Sequence, residues 1–527
     1  MGDSENGEIR RGLKSRHVQL IALGGCIGTG LFVGSGSALS QTGPAALLLG
    51  YAIMSCVIYF VMNILGEMGT WLPIPGAGSQ HFIGAYLDPS LGVAAGWNYW
   101  YSYAVLVMAE VSAAGLVVQY WTDKVHIAVW ITIFLAVIIA LNFVAVEYYG
   151  ESEFWFASLK IICILGLLVT GVVIFFGGAP THDRIGFRYW KNPGPFVEHL
   201  TTGAAGRFCA VWTSLVKAGY AFIFSPELVT TAAGETEAPR RNIPKGVRRF
   251  IYRIVFLYIS SVVVIGCIVP SNDPHLLSAI DAGASTAAAS PFVIGIQNAG
   301  IPVLNHIVNG VILTSAWSSG NSFMYAGSRS LYSMARDGYA PQLFSKCNKF
   351  GVPYYAVGAT SVFSLLAYLN VSSSGAEAFG WFSNISTISG FIAWIFAAAA
   401  HTRWRRAITF QGLDDRVPFR TPLQPYGSWF LIVFMSILTL TNGYAVFIGG
   451  NFNAGDFVAS YISIPVFFGI YAAHKTYLYF KTGYTRFLIP IAELDLTTGL
   501  DDVEAEEAAT PERIPNNIWE KFWYWLA

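Results

Sequence analysis

Charge is scarce in this chain of 527 residues: Asp, Glu, Lys and Arg together make up 12% of it. A soluble domain covers itself with about 25%. That shortage excludes a soluble multidomain enzyme, a collagen, a disordered chain and a nucleic-acid binder. The charges that exist cancel, 31 basic against 31 acidic, so net charge points to no partner. Cysteine is also sparse. Cys26, Cys56, Cys163, Cys209, Cys267 and Cys347 are scattered and form no C-x-x-C pair, against a disulfide framework or a zinc site. The nine histidines show neither H-x-x-x-H nor H-E-x-x-H spacing, so metal catalysis has no support and no bound cofactor is expected. No cleavable signal peptide is evident, because the first apolar stretch runs straight on into others.

What the chain has in excess is apolar surface: 54% hydrophobic and 15% aromatic residues. Apolar runs of about 20 residues, the length of a bilayer-crossing helix, recur along nearly the whole chain. They predict an all-α membrane protein with twelve spans near 18–38, 44–66, 91–121, 126–146, 154–177, 207–233, 247–269, 302–334, 354–371, 378–400, 427–449 and 456–480. Residues 1–17 and 481–527 are then tails on one side of the membrane. Most of the basic residues fall on that same side. They include Arg10 to Arg16, Arg240 to Arg253, Arg329 to Lys349, Arg403 to Arg420, and the C-terminal tail. Opposite loops hold only Lys124, Arg184, Arg188, Lys191 and Arg207. The positive-inside rule places both ends in the cytoplasm.

Two spans are interrupted. The first reads Gly24-Gly25-Cys26-Ile27-Gly28-Thr29-Gly30 through its middle, a run of poor helix formers. Close helix packing through small residues is the plain alternative. The sixth reads Tyr220-Ala221-Phe222-Ile223-Phe224-Ser225-Pro226-Glu227, where a proline inside a helix removes a backbone bond and clashes with the preceding turn. The two breaks hold equivalent places in consecutive five-span units. Such a pair marks an inverted-repeat transporter with its site at the midplane, so a 5+5 core with two further helices is expected. Amides freed at a half-helix N-terminus suit a carboxylate.

The stretch Gly24 to Gly36 also resembles the first-helix signature of the fungal, yeast-type amino-acid permeases of the amino acid–polyamine–organocation superfamily. The resemblance continues at Gly96-Trp97-Asn98-Tyr99-Trp100, Gly186 to Gly194, Ala233-Gly234-Glu235, Ile243-Pro244-Lys245 and Ser328 to Tyr332, and covers about Gly12 to Phe480. It implies a LeuT-like fold and proton-coupled amino-acid uptake at the plasma membrane, with membrane lipid around it. Carried over by position, it implies that Gly28, Thr29 and Gly30 hold the substrate carboxylate. Glu110 takes a span-three acidic role in binding or coupling, and Phe222 to Glu227 form the second break. Lys160 stands where sodium-driven relatives keep an ion. Ser225-Pro226 replaces the glycine-threonine pair usual at that break. With Lys217 and Tyr220 this resembles the proline-permease branch.

Each of these side chains has a plainer use. Glu110 binds a substrate ammonium or carries a proton, or is a carboxyl satisfied by its neighbours. Lys160 loads and releases a proton, or snorkels. Lys217 attracts a carboxylate or sits at the outer end. Tyr220 walls the pocket as a cation–π partner or packs. Glu227 braces the break, lies on a proton path, or caps freed amides. Phe222 and Ser225 complete the expected substrate set. Glu67 is expected to be structural or part of a gate. The reading is a proton symporter taking up L-proline, another amino acid such as γ-aminobutyrate, or a broad range; the alternative is a non-transporting amino-acid sensor. No catalytic set for an enzyme is found.

Overall fold

The computed structural model describes residues 24–25, 27–73, 78–122, 124–144, 146–234, 238–281, 290–371, 375–450, 452–509 and 517. The N-terminal tail with Arg10 to Arg16, Glu235, and the aromatic stretch 518–525 lie outside them.

Helices fall at all twelve expected places among the described residues. Span one is broken, with its second half running through Gly30–Gly34 and Ser35–Thr42. Spans two to five are Pro44–Trp71, Pro89–Val118, Ile127–Asn142 and Val146–Phe176. Span six is Gly203–Phe222 followed by Ser225–Gly234, span seven is Pro239–Ile268, and span eight is Leu304–Arg336. Span nine combines Tyr354–Ser364 with Leu365–Val371, and span ten is Gly375–Phe410. Span eleven is Tyr426–Thr441, and span twelve bends by 46° between Ala454–Tyr461 and Ser463–Thr482.

Local chemistry sets many of the boundaries. Gly43, at φ +81°, turns the chain into Pro44, the first residue of span two, where a missing N–H costs nothing. Asp88 caps span three by accepting from the Ser90 amide at 3.0 Å. It also pairs with Lys475 of span twelve at 2.6 Å. Gly483, at φ +70°, ends span twelve in the left-handed cap that glycine favours.

Span three is buried almost throughout and packs most extensively on span eight, while span two packs on span seven. Span eight is less apolar than spans two, three, five, six, seven and ten. Its buried positions include Ser315, Ser318, Ser319, Asn321 and Ser322, which face protein rather than lipid. Spans five, seven and ten are longer than expected, at 31, 30 and 36 residues. At 1.5 Å per residue such helices exceed a hydrocarbon core of about 30 Å. Span five therefore begins at Val146 rather than near 154, and span ten carries Arg403, Arg405 and Arg406 within its last turns.

Those arginines, which the sequence assigns only to topology, hold the basic end together. Arg405 forks onto Glu67 at 2.9 and 2.8 Å, and His401 Nε2 lies 2.8 Å from the same carboxylate. The Thr421 amide and hydroxyl donate to Glu67 at 2.7 and 2.5 Å. Glu67 thus pins span two to span ten and to the connection after it, an arrangement that serves either of the two roles expected of it, structural or part of a gate. The acidic helix Leu500–Ala509 docks on the same end. Arg416 pairs with Asp501 and Glu504 at 2.8 Å each, and Arg240 with Glu507 at 3.2 Å.

Candidate substrate site

The first break is shorter than the glycine run predicted. Gly24 and Gly25 are helical, Ile27 and Gly28 bend out of the helix, and Thr29 restarts it before a π-turn over Gly30–Gly34. Gly28 is the unwound position. Gly30 serves close packing, because a Cβ there would stand 2.8 Å from Ala221 Cα. Both readings of the glycine run therefore hold, at different residues. The carbonyls released by the bend are taken up by side chains. Lys160 Nζ donates to Gly24 O, and Ser319 Oγ lies 3.2 Å from the same oxygen. Ser315 donates to Ile27 O at 2.6 Å.

The second break lies at Ile223 and Phe224, ahead of the proline. Pro226 sits in the first turn of the second half-helix, a position that needs no N–H. It helps start that half rather than interrupt a continuous helix. Phe224 takes φ +56°, a conformation that costs a non-glycine residue about 1–3 kcal/mol. Its ring packs against Tyr99 and Tyr103 at centroid distances of 5.5 and 4.9 Å. Ser225 Oγ donates to Phe222 O at 2.5 Å, and Tyr258 donates to Ala221 O at 2.8 Å. These bonds satisfy the last two carbonyls of the first half-helix.

Between the breaks lies a cavity walled by Gly25, Gly28 and Gly30 of span one, Leu106 and Glu110 of span three, Tyr220, Ala221 and Ile223 of span six, and Phe323 of span eight. Its free volume is about 10 Å³, room for about one water. An amino acid therefore enters only if a wall moves.

Glu110 is the cavity's only acidic wall among the described residues. It is 2% exposed and accepts from Thr29 Oγ1 at 3.1 Å. A Cβ at Gly28 would stand 2.6 Å from its Oε1, so the carboxylate can approach the bent backbone only because residue 28 is glycine. Neither its second oxygen nor the Tyr220 hydroxyl completes a well-formed hydrogen bond among the described residues, although the hydroxyl faces Glu110, Thr29 and Ser383. The site therefore offers an acidic group against the start of a half-helix, with two polar atoms left for a ligand and aromatic walls around them. That chemistry suits a small zwitterion.

The other expected residues scatter. Phe222 points away from the cavity, its ring against Tyr258 and Tyr51 at 4.5 and 5.8 Å. Ser225 ties the break to itself rather than lining the cavity. Lys217 donates to Ser37 Oγ at 2.5 Å, linking the outer halves of spans six and one. It faces His199 of the neighbouring loop, and burial together with that positive charge holds His199 below its ordinary pKa. Glu227 is buried beyond Phe224, where Trp394 and Tyr99 donate to its Oε1 at 2.8 and 3.2 Å. It lines a separate small cavity with Gln80, Thr231 and Ser330. Lys160 is wholly buried well within span five, so it does not snorkel.

Sequence reasoning passed over Glu153, Ser315 and Ser319. The signal for Glu153 is its seven-residue spacing from Lys160, hidden because the expected span five starts at 154, one residue after it, whereas the helix starts at Val146. Nothing in sequence singles out Ser315 and Ser319 from the many serines of span eight.

A family model described as amino acid permease matches residues 17–484. The proline-specific permease of Emericella nidulans is 54% identical over 522 residues, covering 99% of this chain and 94% of that protein. The probable proline-specific permease put4 of Schizosaccharomyces pombe is 55% identical over 503 residues, covering 95% and 90%. Among solved structures, a manganese transporter of Eremococcus coleocola matches with a TM-score of 0.55 at 12% identity, over 90% of this chain and 97% of that one. At that identity the match speaks for the fold alone, and the fold is the LeuT-like one.

Proposed function

Because the chain belongs to the amino acid permease family, whose members are transporters rather than enzymes, we propose that it is a proton-coupled symporter for L-proline. The observation that carries the mechanism is Glu110 seated against Gly28 and Thr29 at the start of a half-helix. The amides there suit a substrate carboxylate, yet Glu110 already brings a carboxyl to the same place. Two negative charges at one half-helix end repel each other. A proton on Glu110 and a substrate carboxylate at the break therefore favour each other's binding, and such a coupling is reciprocal. That linkage is what symport requires. Proton release from Glu110 on the far side would then help expel the substrate.

Tyr220 would close over the bound molecule and give its hydroxyl to it. Lys160, holding Gly24 O from span five, would tie the movable first span to its neighbours at the place where, by the resemblance, sodium-driven carriers keep an ion. Lys217 and Glu227 would act outside the pocket, at its two ends, in gating. The two relatives named as proline-specific at 54% and 55% identity support proline as the substrate. The basic residues gathered at one end support cytoplasmic tails, 1–17 and 481–527, around a transporter domain at 18–480, and the permease relatives support the plasma membrane.

The test is uptake of labelled L-proline in cells lacking endogenous proline transport, with unlabelled amino acids and γ-aminobutyrate as competitors. Saturable uptake blocked chiefly by proline is expected. Protection by a different amino acid would keep the transporter and remove the specificity. Binding without accumulation would replace transport by sensing.

A further inference from the structure

Glu153 is a carboxylate that this mechanism leaves unused. It is wholly buried in span five, seven residues before Lys160 and hence on nearly the same helix face. Its two oxygens accept from Asn321 Nδ2 and Ser318 Oγ of span eight, each at 2.8 Å. Asn321 Oδ1 in turn accepts from Asn142 Nδ2 of span four at 2.8 Å. Spans four, five and eight thus fix the carboxylate from one side.

Span one closes the other side. A Cβ at Gly24 would stand 3.3 Å from Glu153 Oε2, and Gly24 O is the atom that Lys160 Nζ holds. One glycine therefore touches both charged groups. Helical side chains lean toward the N-terminus of their helix, so the long stem of Lys160 reaches back toward Glu153. Among the described residues, the carboxylates that feel the charge of Lys160 include Glu153 from its own span and Glu110 from span three. The neighbours of Glu153 on spans four and eight, Asn142, Ser318 and Asn321, are neutral.

Alternating access moves span one relative to spans five and eight. When Gly24 O withdraws, the buried ammonium keeps the neutral Ser319 hydroxyl at 3.2 Å but loses its carbonyl acceptor, in a medium where a poorly compensated charge is costly. We propose that Glu153 is the positioning counter-charge that receives the Lys160 ammonium when span one moves away. The lysine then alternates between the Gly24 carbonyl and the Glu153 carboxylate. This inference rests on the symport reading, since it requires span one to move during transport.

The experiment compares wild type, Glu153→Gln, Lys160→Met and the double variant for labelled proline uptake at acidic and neutral external pH, normalised to surface abundance. Glutamine keeps the shape and one acceptor for Asn321 and Ser318. Each single variant is expected to lose on the order of tenfold in uptake, and the double variant no more than the worse single, as coupled partners do. Glu153→Gln is also expected to flatten the pH profile. Multiplying losses with an unchanged pH profile would make Glu153 a structural anchor and overturn the proposal. If Glu153→Gln is absent from the surface, return of the double variant there supports the pairing, and its continued absence contradicts it. A wild type that takes up no proline would instead remove the symport reading, and the inference with it.

Discussion

Glu110→Gln is expected to lower proline uptake at limiting substrate by about 10- to 100-fold, with surface abundance unchanged. What is lost is the linkage between proton and substrate, a coupling of about 1–3 kcal/mol, and about 1.4 kcal/mol is a factor of ten. Glutamine fills the same space and still accepts from Thr29, which donates to Glu110 at 3.1 Å, so the packing of spans one and three survives. What it cannot do is take up and release a proton. The remaining uptake should therefore no longer respond to external pH, and accumulation should stop at equilibration. Uptake at the wild-type level with its usual pH response would take Glu110 out of the mechanism.

The second large effect is steric. In Gly30→Ala the new methyl would stand 2.8 Å from Ala221 Cα and 3.1 Å from its Cβ. The first of these is backbone and cannot rotate aside, so the two broken spans must separate where they wall the cavity. Overpacking of this kind costs about 1–3 kcal/mol, and the displaced walls are those of the binding site. Uptake should fall by about tenfold or more. Gly34→Ala, one turn further along, is the matched control, because a Cβ there meets nothing within 4 Å. It should stay within about twofold of wild type, since alanine favours a helix over glycine. Equal losses in both variants would show that span one tolerates no alanine for reasons unconnected with the contact between the breaks.

Much of this was legible in the chain itself, and particular residues show why. Hydropathy located the spans, and glycine in one with proline in another marked the two breaks. The exact sites of bending were not legible, because they depend on tertiary contacts. Gly30 reads like an unwinding residue until Ala221 is seen against it. Pro226 reads like a breaker until the helix is seen to restart just before it. Glu110 and Lys160 stood out because charge in an apolar run is rare. Phe222 was taken for a pocket wall, yet a break in the helix turns its ring toward Tyr258. Arg405 looked like one charge in a basic run, and only the packing of span ten on span two gives it Glu67. The polar wall of span eight was hidden by its composition, since buried serines lower hydropathy as exposed ones do.

Reconstitution of the purified protein into liposomes tests the central claim most directly, with labelled L-proline outside and an acidic exterior imposed at the start. The account predicts that proline rises inside above its external concentration, and that a protonophore or equal pH on both sides abolishes the rise. Entry that stops at equal concentrations, with or without the gradient, would contradict it. The broken helices would then form a passive carrier, and the proton linkage at Glu110 would be lost.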